Sequence, residues 1–413
     1  MSDPGIVIVG TGQAAYQLAS SLRGEGYAGP ICLVGEEPHL PYQRPPLSKS
    51  FLNSDCEAAS LTFQGEAYYA KHGVELVRRT RVTRIDRSGH FVETHDGARL
   101  PYSHLVLATG ARNRQLPYAS PGSQGVFSLR TLDDARGLRE CLGNIRKAVV
   151  IGAGFLGLEF AAVAAGKGVA VTVVEATATL MSRVVSAPVG SAFQQHLESL
   201  GVQFYLGTMV NAIQRENERI TGVEMSDGRV AEGEIVVVSI GVLPNAELAI
   251  EAGLATGNGI LVNQHLSTDD PCISAIGDCA SFPSRFTHAP CRLESIQNAV
   301  DQARCLARRL AGRDEPYDAV PWFWSDQGGL KLQIAGLSGA VDEVVLRGDA
   351  GARRFSAYCF SAGRLVCVES VGCPADHMAA RKLLGAATPV TPAQVRDKSI
   401  DLKSLLPQPA VAV

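Results

Sequence analysis

Twice in this chain a short apolar run breaks on closely spaced glycines and continues into a helical pattern. Ile6-Val7-Ile8-Val9 runs into Gly10-Thr11-Gly12-Gln13-Ala14-Ala15, helical spacing covers Ala14 to Arg23, and a second apolar run follows at Ile31-Cys32-Leu33-Val34. Ala148-Val149-Val150-Ile151 likewise runs into Gly152-Ala153-Gly154-Phe155-Leu156-Gly157, and its second run is Val171-Thr172-Val173-Val174. Each is a strand–helix–strand unit of about 30 residues, and strands joined by a crossover helix must lie parallel. The two starts are 142 residues apart, which reads as a coarse duplication of one unit and not as a solenoid repeat.

The glycines suggest what such a unit holds. A G-x-G-x-x-G/A turn between a strand and a helix lets the backbone approach a pyrophosphate, which sits at the helix N-terminus. An acid closing the second strand can bond ribose hydroxyls, and Glu36 and Glu175 stand at those positions. An acid at 175, with Arg183 as the next arginine, favours a free 2′-hydroxyl and so NAD over NADP. Either turn alone could be an ordinary glycine turn of an α/β fold. Two in one chain imply two dinucleotides, and the natural pair is a bound flavin and a diffusible nicotinamide.

Composition fits a folded chain of two to three domains: 413 residues, 46% hydrophobic. The balance of 38 Lys and Arg against 41 Asp and Glu gives −3, which argues against a general nucleic-acid binder. None of the ten cysteines forms a C-x-x-C or C-x4-C pair, which argues against a redox disulfide or an iron–sulfur cluster on the chain. Scattered thiols suit a reducing compartment. Met1-Ser2-Asp3-Pro4-Gly5 is not basic and leads into only four apolar residues, so no secretory signal is expected and the location reads as cytoplasmic. Ala148 to Gly166 is nearly continuous apolar sequence, but its glycine turn and Glu159 point to a buried strand and helix, not a membrane span.

Further strands are expected at Leu105-Val106-Leu107, ending at Ala108-Thr109-Gly110, at Ile235 to Ile240 and at Ile273 to Ile276. After Pro316 the texture changes. Lys331 to Gly336, Glu343 to Arg347, Arg354 to Phe360 and Arg364 to Val371 read as strands with Gly or Asp turns, and a helix is expected over about Ala375 to Leu384. The fold class is therefore α/β: two Rossmann-like dinucleotide-binding domains plus a C-terminal α+β domain with an antiparallel sheet. Thr388 to Val413 is expected to wrap the surface.

Two more segments can carry chemistry. In Pro41-Tyr42-Gln43-Arg44-Pro45-Pro46-Leu47-Ser48-Lys49 the prolines stiffen the chain and fix how Arg44 and Lys49 are presented. Arg44 can clamp a pyrophosphate, and Lys49 can place a positive charge beside a flavin, where reduction builds negative charge. The run to Ala275-Ile276-Gly277-Asp278 is expected to put a carboxylate at a helix N-terminus, within reach of ribityl hydroxyls. By themselves these could be a solvated proline loop and an ordinary N-cap.

Taken together, P-Y-x-R-P-P-L-S-K (41–49), L-R-T-L-x-D-A (129–135), G-x-G-x-x-G-L-E (152–159), G-V-x-P-N (241–245), A-x-G-D-C (275–279), the segment Arg292 to Ala299 and W-F-W-S-D-Q (322–327) resemble the FAD-containing, NADH-dependent ferredoxin reductases of the putidaredoxin reductase type. The resemblance runs over essentially the whole chain. It implies a glutathione-reductase-like fold: a discontinuous FAD domain (1–111 and 245–317), an NAD domain (112–244) and a C-terminal interface domain (318–413). It implies that Ala14, Glu36, Lys49, Val82, Arg130, Asp278 and Ile296 contact FAD, with Gly10, Gly12, Ala15, Arg44, Ala108, Thr109 and Gly110 around the same cofactor. Trp324 would lie close to the flavin. Lys49 and Glu159 would pair there, Glu159 standing on the first turn of the second nucleotide helix. Gly152, Gly154, Leu156, Gly157 and Gly241 would line the NADH site, and Glu175 and Arg183 would meet its adenosine half. NADH would reduce FAD, and FAD would pass electrons to a separate 2Fe–2S ferredoxin serving a haem monooxygenase or a ring-hydroxylating dioxygenase. Rubredoxin reductases, and redox sensors of the apoptosis-inducing-factor kind, would share these motifs. The chain departs from the family at Gln327-Gly328-Gly329-Leu330, where an aromatic usually follows the Gln, and this bears on local packing at the ferredoxin face.

Other features have ordinary readings. No two of the nine histidines have H-x-x-x-H spacing, so no metal site is expected. His288-x-x-Cys291 stands alone, and Cys373 and His377 straddle a helix start. Arg304, Arg308, Arg309 and Arg313 form a basic helix face, solvated by default and otherwise a dock for an acidic ferredoxin.

Overall fold

A computed structural model describes residues 4–118, 123–287 and 289–406, so His288 and the end of the C-terminal stretch lie outside the described residues. The chain forms two compact units. One comprises Met1–Gln43, Ala58–Arg112 and Val242–Ala319; the other comprises Arg44–Glu57, Asn113–Gly241 and Val320–Val413.

The first unit is built on a five-stranded parallel sheet, in the order Ile273–Ala275, His104–Leu107, Ile6–Val9, Ile31–Val34, Val74–Val77. Ile6–Val9 is central and wholly buried, which explains a run with no polar alternation. The helix Gln13–Gly24 presents Ala15, Leu18, Ala19 and Leu22 at helical spacing. It packs closely on the helix Ile296–Leu310, which offers the small faces of Ala299 and Ala303. Each fully buried leucine or isoleucine in this core contributes roughly 1.5–3 kcal/mol. The unit also holds an antiparallel sheet of Val82–Asp86, Phe91–Thr94 and Arg99–Pro101.

The second unit repeats the parallel design: Gln203–Leu206, Ala170–Glu175, Lys147–Ile151, Ile235–Val238, Val126–Phe127. Its helix Phe155–Gly166 is buried along most of its circumference, Phe160, Ala161 and Ala164 included, which accounts for the apolar stretch at 148–166. Among the described residues no helix is long and apolar enough to cross a membrane. The same unit holds an antiparallel sheet in the order Trp322–Gln327, Leu330–Gly336, Arg364–Val371, Arg354–Ser361, Glu343–Asp349, covered by the helix Pro374–Gly385.

Four expectations need correction. The strand from Ile235 ends at Val238, because Ser239 already turns toward the glycine loop: a Cβ at Gly152 would sit 2.3 Å from its carbonyl oxygen. Gly277–Cys279 is a single 3-10 turn followed by the strand Ala280–Ser284, so Asp278 does not begin a helix. Glu159 is the fifth residue of the helix that starts at Phe155, just past the first turn on which it was expected. The stretch after Thr388 is not a bare surface wrap: it contains the helix Pro392–Arg396, buries Val390, Val395 and Leu402, and is tied down by Arg347 through the carbonyls of Val395, Asp397 and Ile400.

Candidate functional site

In the first unit the glycine turn is shaped by what surrounds it. Gly10 has φ +125°, and a Cβ there would meet the Ala108 carbonyl oxygen at 2.2 Å. Ala108 thus walls the turn. Gly12, by contrast, has nothing within 4 Å of its would-be Cβ. Ala14 and Ala15 are buried on the following first turn. That helix has no side-chain cap and no acidic residue in its first turn, so the dipole's positive end there is not offset by the helix's own side chains. Glu36, past the end of the second strand, is exposed, its carboxylate 3.9 Å from Arg81.

Thr109 and Asn245 clasp each other: Thr109 Oγ1 donates to the Asn245 carbonyl at 2.6 Å, and Asn245 Nδ2 to the Thr109 carbonyl at 2.9 Å. The 3-10 turn of Asp278 is held by Gln302, which accepts from the Gly277 N–H at 2.7 Å. Arg292 donates to the Asp278 carbonyl at 3.1 Å. Val82 is buried at the start of its strand, and Ile296 opens the helix capped by Ser295.

The basic helix face largely dissolves. Arg309 turns inward onto Ser267 and Ser274, and burial lowers its pKa. Arg308 pairs with Glu315 at 3.4 Å, and Arg313 pairs with Glu25. Arg304 and Arg313 stay exposed while Arg309 turns inward, so the four arginines do not form one solvated face.

In the second unit the glycine turn repeats. Gly154 has only the Ser239 oxygen near, at 3.9 Å, and its helix again lacks a side-chain cap and first-turn acids. Gly157 cannot take a side chain, since a Cβ would lie 2.6 Å from the Gly152 oxygen; this is the close helix–turn approach that the third glycine permits. Leu156 is partly exposed on the first turn. Glu175 reaches back into the turn: Oε2 accepts from the Ala153 N–H at 2.7 Å and Oε1 from the Thr177 N–H at 2.8 Å. Arg183 is exposed, with Nη2 3.3 Å from the position a Cβ would take on Gly241, whose φ is +93°.

A close assembly of charged and polar groups in this unit centres on Glu159, which is only 5% exposed. Lys49 Nζ lies 2.6 Å from its Oε2. Ser48 Oγ donates to the same oxygen at 2.5 Å, and Ser325 Oγ to Oε1 at 2.7 Å. The two serines were not expected. Ser48 lay in plain sight beside Lys49, but Ser325 is 166 residues from Glu159 and no local pattern links them. Arg44 donates to the Arg130 carbonyl at 2.6 Å, just before the capping box of Thr131 and Asp134. Trp324 stands on the same strand as Ser325, its ring 5.5 Å from that of Trp322.

The departure at Gly328-Gly329 has a local cause. Gln327 pairs with Leu330, and both glycines have positive φ, +60° and +84°, so the pair closes a two-residue β-hairpin that other residues would strain. His377 is buried with neither ring nitrogen partnered, and burial lowers its pKa to about 4. Burial raises the pKa of Cys373, so no activated thiol stands at that helix start. All ten cysteines are free thiols. Among the described residues no group of three His, Cys, Asp or Glu could hold a metal.

The two uncapped helix starts with open glycine turns suit pyrophosphates, and the acids beside them suit ribose, so the residues present fit two dinucleotides. Residues 4–303 match the pyridine nucleotide-disulphide oxidoreductase family, and residues 322–406 match the reductase C-terminal family. Rhodocoxin reductase of Rhodococcus erythropolis is 48% identical over 96% of this chain and 93% of its own length. The ferredoxin reductase for the CYP199A2 system of Rhodopseudomonas palustris is 47% identical and superposes with a TM-score of 0.95, covering 98% of this chain and 100% of that one. Putidaredoxin reductase, in its covalent complex with putidaredoxin, gives a TM-score of 0.95 at 37% identity over 98% of each chain. The chain belongs to the pyridine nucleotide-disulphide oxidoreductase family, among its putidaredoxin reductase-like ferredoxin reductases, which use FAD and NAD(H).

Proposed function

We propose that this protein is an FAD-dependent NADH:ferredoxin reductase that supplies a separate 2Fe–2S ferredoxin and, through it, a haem monooxygenase or ring-hydroxylating dioxygenase. One observation carries the reading. The segment Pro45-Pro46-Leu47-Ser48-Lys49 contains no cysteine and all ten cysteines are free thiols, so electrons taken from NADH meet no disulfide on the chain and must leave for an external acceptor. When bound, FAD supplies the redox chemistry, accepting two electrons from NADH and releasing them one at a time.

The chain's own residues bind, orient and tune. We assign the first unit's Gly10, Gly12, Ala14, Ala15, Glu36, Val82, Ala108, Thr109, Gly110, Asp278 and Ile296 to FAD, together with Arg44, Arg130 and Trp324. We assign Gly152, Gly154, Leu156, Gly157, Glu175, Arg183 and Gly241 to NADH. Lys49 holds a fixed positive charge for the flavin, and Glu159 holds Lys49; no acid or base of the protein has to move a proton to the substrate. Functionally the chain divides into an FAD domain (1–111 and 245–317), an NAD domain (112–244) and an interface domain (318–413). Ten unpaired thiols support a cytoplasmic location.

The test is acceptor choice. With NADH in excess, a 2Fe–2S ferredoxin should be reduced at enzymatic rates, and rubredoxin or oxygen far more slowly. Faster rubredoxin reduction would reassign the partner, and failure with every carrier would point to a redox sensor.

A further inference from the structure

Glu159 is held by more than its lysine. Lys49 and Ser48 both address Oε2, whereas among the described residues Oε1 accepts only from Ser325, at 2.7 Å. Ser325 has a single proton, already given to Glu159, so toward Gln327 it can only accept, and Gln327 Nε2 donates to it at 3.3 Å. The chain Gln327 to Ser325 to Glu159 therefore has one direction. All three side chains are buried, Ser325 at 1% and Gln327 at 0% exposure, so these hydrogen bonds are made away from bulk water. Ser325 and Gln327 alternate on one strand and share a face, and Gln327 is pinned by the glycine hairpin that follows it.

We propose that Ser325, backed by Gln327, is a positioning residue. It fixes the rotation of the Glu159 carboxylate so that Oε2 stays under Lys49 Nζ, and it makes the place of that ammonium depend on the strand Trp322–Gln327. The inference rests on the reading that Lys49 and Glu159 act on the flavin.

The test is a double-mutant cycle in the FAD-loaded protein, read by the flavin midpoint potential and by the rate of flavin reduction in a single turnover. Ser325→Ala should slow reduction about tenfold, the value of one buried hydrogen bond to a charge, and lower the potential. In a Glu159→Ala background the same substitution should change neither quantity, since no carboxylate remains to be positioned. Gln327→Met should give a smaller change in the same direction, and it serves if Ser325→Ala does not fold. Equal effects of Ser325→Ala in both backgrounds would overturn the inference, because the serine would then act structurally. A silent Ser325→Ala beside an impaired Glu159→Ala would overturn it while sparing the pair. A silent Glu159→Ala would remove the pair's role and this inference with it.

Discussion

Lys49 Nζ and Glu159 Oε2 lie 2.6 Å apart, although 110 residues separate them in the sequence. The lysine side chain is 26% exposed and the glutamate side chain 6%, so a partly accessible lysine is anchored on a buried partner. That is the arrangement expected of a charge held for a ligand and not for the core. Lys49→Ala should lower the rate of flavin reduction by NADH by about 10²-fold, in line with the loss of one electrostatic stabiliser, while FAD content after gel filtration falls far less. Stopped-flow reduction at the wild-type rate would remove Lys49 from the mechanism.

The two leading glycines of the first turn should fail differently. Gly10→Ala forces a side chain into the Ala108 carbonyl at φ +125° and should cost at least about 2 kcal/mol of stability even without cofactor. Gly12 has ordinary φ and open space, so Gly12→Ala should unfold near the wild-type temperature as apoprotein yet retain little FAD. Thermal unfolding of both apoproteins, with the flavin absorbance of the purified proteins, decides this. Full FAD retention by Gly12→Ala would show that the open space is not the phosphate's.

Glu175 both closes the second strand and accepts the Ala153 N–H of the glycine turn. Glu175→Ala should therefore weaken NADH binding and narrow the preference over NADPH, and it should also cost about 1–2 kcal/mol from the lost charge-assisted bond. The ratio of kcat/KM for NADH to that for NADPH measures the first effect and urea unfolding the second. An unaltered ratio would leave Glu175 a structural cap only.

Two histidines set an acid limit. Burial lowers the pKa of His104 and of His377 from 6.5 to about 4, so the unfolded chain binds protons that the fold refuses. Their contribution is complete above pH 6.5 and is lost as pH falls toward 4, on the order of 3 kcal/mol each. His377→Leu removes a ring with no hydrogen-bond partner, so stability at pH 7.5 should change by less than about 1.5 kcal/mol. The loss between pH 6.5 and 4 should become shallower by one histidine's share; an unchanged slope in urea titrations across that range would exclude His377 as a source.

The parallel sheets were legible because buried central strands write themselves as unbroken Ile and Val, and because glycine has few other reasons to recur at that spacing before a helix. The Lys49 and Glu159 contact was expected only through resemblance; nothing local in either segment announces the other. Ser48 and Ser325 were not foreseen for the same reason, since a serine carries no periodic signature and its partner is fixed by packing. Asp278 was misplaced because an apolar strand ending in Gly-Asp looks alike before a helix and before a 3-10 turn; the deciding residue, Gln302, lies 24 positions later. The arginine face looked continuous because sequence gives the angle of a side chain on its helix and not the serines and glutamates that other elements bring to it.

The most direct measurement is an anaerobic titration of the FAD-loaded protein with NADH, followed in the visible spectrum, with oxidised 2Fe–2S ferredoxin added at the end point. Bleaching should be complete at about one NADH per flavin, followed by rapid recovery of the oxidised flavin spectrum as the ferredoxin is reduced. A stable long-wavelength complex that no ferredoxin discharges would contradict it.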